Sequence, residues 1–297
     1  MADWSIVVPR RAVERADPLV FGTPAVAGVL SYSAHDTSAG PQRWTVSPLG
    51  AVTFTIDLTT PDRGGLPWSP VIGPRDRPLT ATQSGRAVGI TVGLSPPAAH
   101  ALFGPLRELA NTTPGLVDLL GRDAHLLAER LAEVGRPARA GQPDQADHHH
   151  RTARPTNTAH PPLSTPWQAR FRLLDRLLAE RLARGPAPDD AVRVAWRRLA
   201  ETGGTLRIGA LADEIGWTRQ HLVTRFRDQL GLTPKTAART LRLHRAASLL
   251  PTAPPARVAA DCGYADQSHL NRDFRALTGI TPTAYAGRRD PARARTG

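Results

Sequence analysis

Hydrophobic and polar positions alternate along this chain in two ways that divide it. Between residues 20 and 95 the period is two: Val52, Phe54, Ile56 and Leu58 alternate with Thr53, Thr55, Asp57 and Thr59, and Val88, Ile90, Val92 and Leu94 with Gly89, Thr91 and Gly93. That period, carried by branched side chains, predicts strands with one buried face. Clusters such as Pro61-Asp62-Arg63-Gly64-Gly65 predict the loops between them. A small barrel or sandwich is the expected outcome. From Pro97 the period becomes helical, running to Leu109 and again from Leu116 to Val134, where Leu116, Leu119, Leu120, Leu127 and Leu131 share one side. It vanishes between Gly135 and Pro166, where Pro, Gly, Gln, Thr and His take over and the chain reads as a flexible linker. It returns at Trp167, with Phe171, Leu174, Leu178 and Leu182 on one stripe, fit either to pack on a neighbouring domain or to pair with a second copy.

The last third of the chain contains one helical plan twice, 48 positions apart. Thr218, Leu222, Phe226, Gly231, Thr233 and Pro234 recur at identical spacing as Asp266, Leu270, Phe274, Gly279, Thr281 and Pro282. Before each copy lies a short apolar segment ending in glycine and an aromatic, Leu211 to Trp217 and Val258 to Tyr264, with an alanine four residues before the glycine. A small residue lets two helices cross closely, and a glycine makes the turn between them. Each copy is therefore expected to be a helix-turn-helix unit.

On a helix capped by Thr218 or Asp266, the fourth and eighth positions are the apolar pair. At 100° per residue the second, fifth, sixth and ninth lie opposite. These are Gln220, Val223, Thr224 and Arg227 in the first copy and Ser268, Asn271, Arg272 and Arg275 in the second, with Arg219 and Gln267 on the flank. Gln and Asn suit adenine, Arg suits guanine, and Val or Thr can pack on a thymine methyl. The DNA-reading set is thus expected to be Arg219, Gln220, Val223, Thr224, Gln267, Ser268, Asn271 and Arg272. The neighbouring Arg225, Lys235, Arg239, Arg242 and Arg245 are assigned to phosphates or solvent.

Charge agrees with this reading. Residues 1–135 carry a net −1, 136–189 a net +4 and 190–297 a net +9, so most of the +12 belongs to the duplicated segment. A basic field confined to one domain is the footprint of a polyanion. Cys262 is the only cysteine, which rules out an intramolecular disulfide and fits a reduced helix core. His148-His149-His150 and His160 fall in the linker and are read as linker, with no metal and no cofactor expected. No charged leader precedes an apolar run and no segment reaches bilayer length, so a cytoplasmic location with no membrane partner is expected. His35, His100 and His125 are too scattered for a cupin metal set, and a repair methyltransferase would need cysteines that are missing, so no enzyme is expected.

At these residues the chain resembles the AraC/XylS family of bacterial transcriptional regulators. The strongest likeness is Ala260-Asp261-Cys262-Gly263-Tyr264-Ala265-Asp266-Gln267-Ser268-His269-Leu270-Asn271-Arg272-Asp273-Phe274, followed by Gly279-Ile280-Thr281-Pro282. The resemblance implies seven helices, two helix-turn-helix units and a rigid central helix, and it places base contacts on Gln220, Val223, Thr224, Gln267, Ser268, Asn271 and Arg272. Val223 departs from the pattern because it cannot hydrogen bond. The expected fold is α+β: a β-rich barrel- or sandwich-like sensing or dimerisation domain with helices over 1–135, a linker over 136–166, a connecting helix over 167–184, an all-α DNA-binding domain over 188–289, and a tail over 290–297. Expected partners are double-stranded DNA, a small-molecule effector, RNA polymerase and a second copy of the chain. The competing expectation is an architectural DNA-binding protein without effector control.

Overall fold

The computed structural model describes residues 20–37, 42–48, 50–134 and 165–289. The tail over 290–297 lies outside these residues, as do the histidines of the linker and all but the last two positions of 136–166.

The N-terminal part is built on β1 (Val20–Gly22), β2 (Val29–Thr37), β3 (Gln42–Val46), β4 (Val52–Asp57), β5 (Val71–Ile72), β6 (Leu79–Gln83) and β7 (Ala87–Leu94). Five of them form an antiparallel sheet in the order β1-β2-β7-β4-β5, and β3 and β6 form a separate two-stranded ribbon. Alternation in β4 predicts one buried face, yet all six of its residues are buried. Its polar side is satisfied internally. Thr55 shares a hydrogen bond with Thr91 at 3.1 Å, and Asp57 accepts from Arg63 Nε at 3.0 Å and from the Ser69 amide at 2.9 Å. Arg63 also donates to Gln83 on β6 at 2.8 Å, so this buried ion pair ties the ribbon to the sheet. A buried pair with its remaining polar atoms satisfied is the arrangement that desolvation tolerates.

Four helices cover the sheet: α1 (Pro96–Phe103), α2 (Leu116–Leu120), α3 (Arg122–Val134) and α4 (Thr165–Arg184). The apolar stripe of α4 closes the N-terminal core. Phe171, Leu174 and Leu178 are buried among Tyr32, Phe54 and Ile90, and Phe171 stacks on Tyr32 with ring centres 5.3 Å apart. The Tyr32 hydroxyl donates to Asp175 at 2.8 Å, and the Ala25 amide reaches the same carboxylate at 3.1 Å. The helix expected as a connector is therefore part of the β domain, and the break before the last domain falls at Gly185-Pro186-Ala187-Pro188.

Residues 190–289 form seven helices: α5 (Asp190–Glu201), α6 (Ile208–Ile215), α7 (Arg219–Leu230), α8 (Pro234–Leu249), α9 (Pro255–Asp261), α10 (Gln267–Thr278) and α11 (Pro282–Arg289). They enclose two apolar cores. One joins Trp196, Leu211, Leu222 and Phe226 to Ala237 and Leu241 of α8, and the other joins Val258, Leu270 and Phe274 to Leu243, Ala246 and Leu250. Among the described residues no helix is long and apolar enough to cross a membrane.

A protease site inserted within residues 135–164 and cut should leave two pieces that co-elute in native size exclusion, because α4 lies on one piece and its packing partners on the other. Leu174→Ala should cost about 2–5 kcal/mol by opening that contact; pieces that separate without it would place α4 elsewhere. His35 supplies a second test. Burial, aided by Arg63, pushes its imidazole down to about 4 against the opposing pull of Asp57 and Asp36, and no protein group bonds the enclosed Nε2. A histidine whose folded-state pKa is depressed stays neutral in the fold, so its contribution is complete above about 6.5 and fades as pH falls toward 4. Wild type should lose up to about 3 kcal/mol more than His35→Gln over that window. Urea midpoints at both ends check this, and parallel losses in the two proteins would count against it.

Candidate nucleic-acid interface

The two copies fold by the same local chemistry. At the end of α6 the Trp217 amide donates to Ala212 O at 3.0 Å and the Gly216 amide to Asp213 O at 3.2 Å; at the end of α9 Tyr264 donates to Ala259 O at 2.9 Å and Gly263 to Ala260 O at 3.1 Å. This pair of bonds stops a helix with a residue in the left-handed region. Gly216 and Gly263 occupy it at φ 76° and 71°, where a β-carbon is penalised. The next helix is capped two residues after Gly216 and three after Gly263. The Thr218 side chain accepts from the His221 amide at 3.2 Å, and Asp266 from the His269 amide at 2.7 Å. The aromatic of each turn meets that same histidine edge-on, with ring centres 4.5 Å apart for Trp217 and His221 and 5.2 Å for Tyr264 and His269.

Turn and cap together orient α7 and α10. Leu222, Phe226, Leu270 and Phe274 are fully buried, which turns the opposite faces outward. Arg219, Gln220 and Thr224 are exposed and Val223 is half-buried; Gln267, Ser268 and Arg272 are exposed and Asn271 is half-buried. Exposure therefore repeats position by position between the copies, and Arg227 and Arg275 extend each face. Thr224 donates its hydroxyl to Gln220 O at 3.1 Å, which leaves its oxygen lone pairs and methyl for a partner.

Three of the arginines assigned to phosphate or solvent make contacts within the fold. Arg225 holds Asp189 through two bonds, at 2.6 and 3.0 Å, and keeps that carboxyl below the usual carboxylate range. Asp189 stands at the N-cap of α5, but its side chain goes to Arg225 and caps nothing. Arg239 pairs with Asp273 at 2.6 Å. Arg242 lies over the Tyr264 ring at 5.5 Å, its Nε enclosed. Lys235 and Arg245 remain exposed. Cys262 is buried in the second core, and that burial pushes its thiol up, away from a reactive thiolate.

One feature of the interface has no local signature. The N-terminal domain grips the far end of α7: the Leu106 amide donates to Gln229 O at 3.0 Å, His100 Nδ1 bonds the same carbonyl at 3.0 Å, and Arg107 pairs with Asp228 at 2.9 Å. Gln229 also accepts from the Asp189 amide at 2.7 Å through its side chain. These partners lie more than a hundred residues apart, except for Asp189. The signal available was Gln229 itself, a polar residue on the stripe of Leu222, Phe226 and Leu230.

Residues 211–288 match a family described as a helix-turn-helix domain. An uncharacterized HTH-type transcriptional regulator, YbfI of Bacillus subtilis, is 32% identical over 87 residues, which are 29% of this chain and 32% of that protein. The match thus spans about a third of the curated relative's length. Among solved structures, an AraC-type DNA-binding transcriptional regulator from Chromobacterium violaceum aligns with 35% of this chain and 93% of its own at 26% identity and a TM-score of 0.30. ToxT from Vibrio cholerae aligns with 86% of this chain and 97% of its own at 12% identity and a TM-score of 0.43.

Two substitutions separate reading from scaffolding. Arg272→Ala should weaken binding by about 1–3 kcal/mol for DNA carrying the base it contacts and leave the melting temperature unchanged. Arg239→Ala removes the partner of Asp273, whose side chain is only 12% exposed, and should lower stability by about 1–3 kcal/mol while weakening all sequences alike. Melting curves and titrations on variant duplexes check both, and a uniform loss for Arg272→Ala would take that residue out of the reading set.

Proposed function

We propose, from the helix-turn-helix domain matched over residues 211–288, that the protein is a sequence-specific, cytoplasmic DNA-binding transcriptional regulator of the AraC type. Its action is binding rather than catalysis. α7 and α10 enter successive major grooves on one face of the duplex, and Arg219, Gln220, Val223, Thr224, Gln267, Ser268, Asn271 and Arg272 face the bases. The observation that carries this reading is the position-by-position repeat of caps, turns and outward side chains on two helices joined through α8. Val223 offers only an apolar contact, so the first helix discriminates less than the second.

We further propose that a small-molecule effector acts through the β domain, with RNA polymerase and a second copy of the chain as protein partners. The grip of His100, Leu106 and Arg107 on the end of α7 supports this, since it gives the N-terminal domain a direct hold on a reading helix. A ligand shifts DNA affinity only by its differential affinity for the gripped and released arrangements.

Selection of binding sites from random duplexes should return two half-motifs centred about 10 bp apart. Operator affinity measured for the full chain and for residues 188–289, with and without candidate metabolites, should then differ in a ligand-dependent way. A single unrepeated motif would sink the two-groove reading, whereas two half-motifs with no ligand response would favour an architectural protein.

A further inference from the structure

The two turns share their hydrogen bonds but not their surroundings. A β-carbon placed on Gly216 would meet nothing within 4 Å, whereas one on Gly263 would lie 3.0 Å from the Thr205 methyl. Thr205 belongs to the loop between α5 and α6, so the first unit lies directly against the turn from which α10 starts. The loop that carries it is firmly mounted. The Gly204 amide donates to Leu199 O at 2.8 Å, and Gly204 packs so close to α8 that a β-carbon there would come within 2.0 Å of the Ala238 carbonyl oxygen. The Arg245 side chain covers Gly203, its Cδ 2.9 Å from that residue's β-position, and the Thr205 hydroxyl donates to Thr202 O at 2.8 Å. Thr205 itself is exposed and belongs to neither apolar core. Its methyl therefore adds little burial, and what it supplies is a fixed obstacle beside the second turn.

We propose that Thr205 is a stop between the two units: α8 sets the rest position of the second reading helix, and the Thr205 methyl limits how far the second unit rocks toward the first. The inference rests on the two-groove reading and concerns one property of it, the tolerance for altered spacing between half-motifs. Displacing one half-motif by a base pair shifts its groove by about 3.4 Å and turns it by roughly 35°. α10 follows only if its unit rocks on α8. Atoms in van der Waals contact resist compression steeply and separation weakly, so the stop opposes one sense of rocking and leaves the other free. Thr205 is thus a positioning residue, acting on DNA only through the placement of α10.

The test uses the full chain and duplexes carrying the half-motifs returned by selection, rebuilt with their centres one base pair closer, unaltered, and one base pair farther apart. Two substitutions separate the methyl from the hydroxyl. Thr205→Ser removes the methyl and keeps the bond to Thr202; Thr205→Val keeps the methyl and removes the bond. Wild type should bind the unaltered spacing best. Thr205→Ser should match it there, with an unchanged melting temperature, and should bind one of the two altered spacings about fivefold more tightly than wild type does, because forcing an extra carbon into a packed contact costs at least that much. Thr205→Val should keep the wild-type pattern. Relief of both altered spacings overturns the stop, as does equal relief in the two variants, which would place the effect on the hydrogen bond of the loop. Wild type that binds all three spacings alike overturns the two-groove reading and the stop together, whereas a wild-type preference left intact by Thr205→Ser overturns the stop alone.

Discussion

The reading surfaces depend on one helix having two cores. α8 presents Ala237, Ala238 and Leu241 to the first unit and Leu243, Ala246 and Ala247 to the second, with Leu250 just past its end, so consecutive turns of a single rod are buried in different neighbourhoods. At 16 residues it is roughly 24 Å long. Its backbone hydrogen bonds, not side-chain packing between the units, set where one reading helix stands relative to the other. Thr233 begins the rod by accepting from the Thr236 amide at 3.2 Å, and Pro234 supplies the preset φ of a first helical turn. Alanines at 237, 238, 246 and 247 keep its flanks thin, which lets α5, α7, α9 and α10 approach it closely.

How much of this was legible before the structure depends on how far apart the determining residues lie. The turns at Gly216 and Gly263, the caps at Thr218 and Asp266 and the burial of Leu222, Phe226, Leu270 and Phe274 are each settled within about a dozen residues, and the doubled pattern marked all of them. The two-stranded ribbon and the filled second face of β4 were not legible. Thr53, Thr55 and Asp57 alternate as solvent-facing residues do, and nothing in that alternation marks Thr91 as the partner of Thr55 or Arg63 and Ser69 as the partners of Asp57. α4 had the right periodicity but no stated neighbour until Tyr32 and Phe54 were brought to it.

The arginines teach the same lesson from the electrostatic side. Composition identified a basic domain, and counting alone treats every guanidinium near a reading helix as a phosphate contact. Arg225 and Arg239 each have a carboxylate within 3 Å, and Arg242 has an aromatic face. Local net charge therefore overstates what is offered to DNA. Arg219, Arg227, Lys235, Arg245, Arg272 and Arg275, on or beside α7, α8 and α10, are among the basic residues that remain outward.

That division of labour constrains how the N-terminal domain could act on DNA reading. Its grip reaches the last turn of α7, through Asp228 and Gln229, while the proposed base-facing residues Arg219, Gln220, Val223 and Thr224 sit on the first two turns. Obstruction of the reading face is therefore not the lever. Reorientation of α7 alone is costly as well, since Leu222, Phe226 and Leu230 fix it in a core shared with α8. Interiors packed at crystal density shift between discrete arrangements rather than bending smoothly. A force on the end of α7 is thus passed through that core to α8, and from α8 to the second unit, so the two reading helices move as one body relative to the β domain. On the proposed function, control falls on where the whole helix-turn-helix module is held, and both proposed half-motifs feel it together.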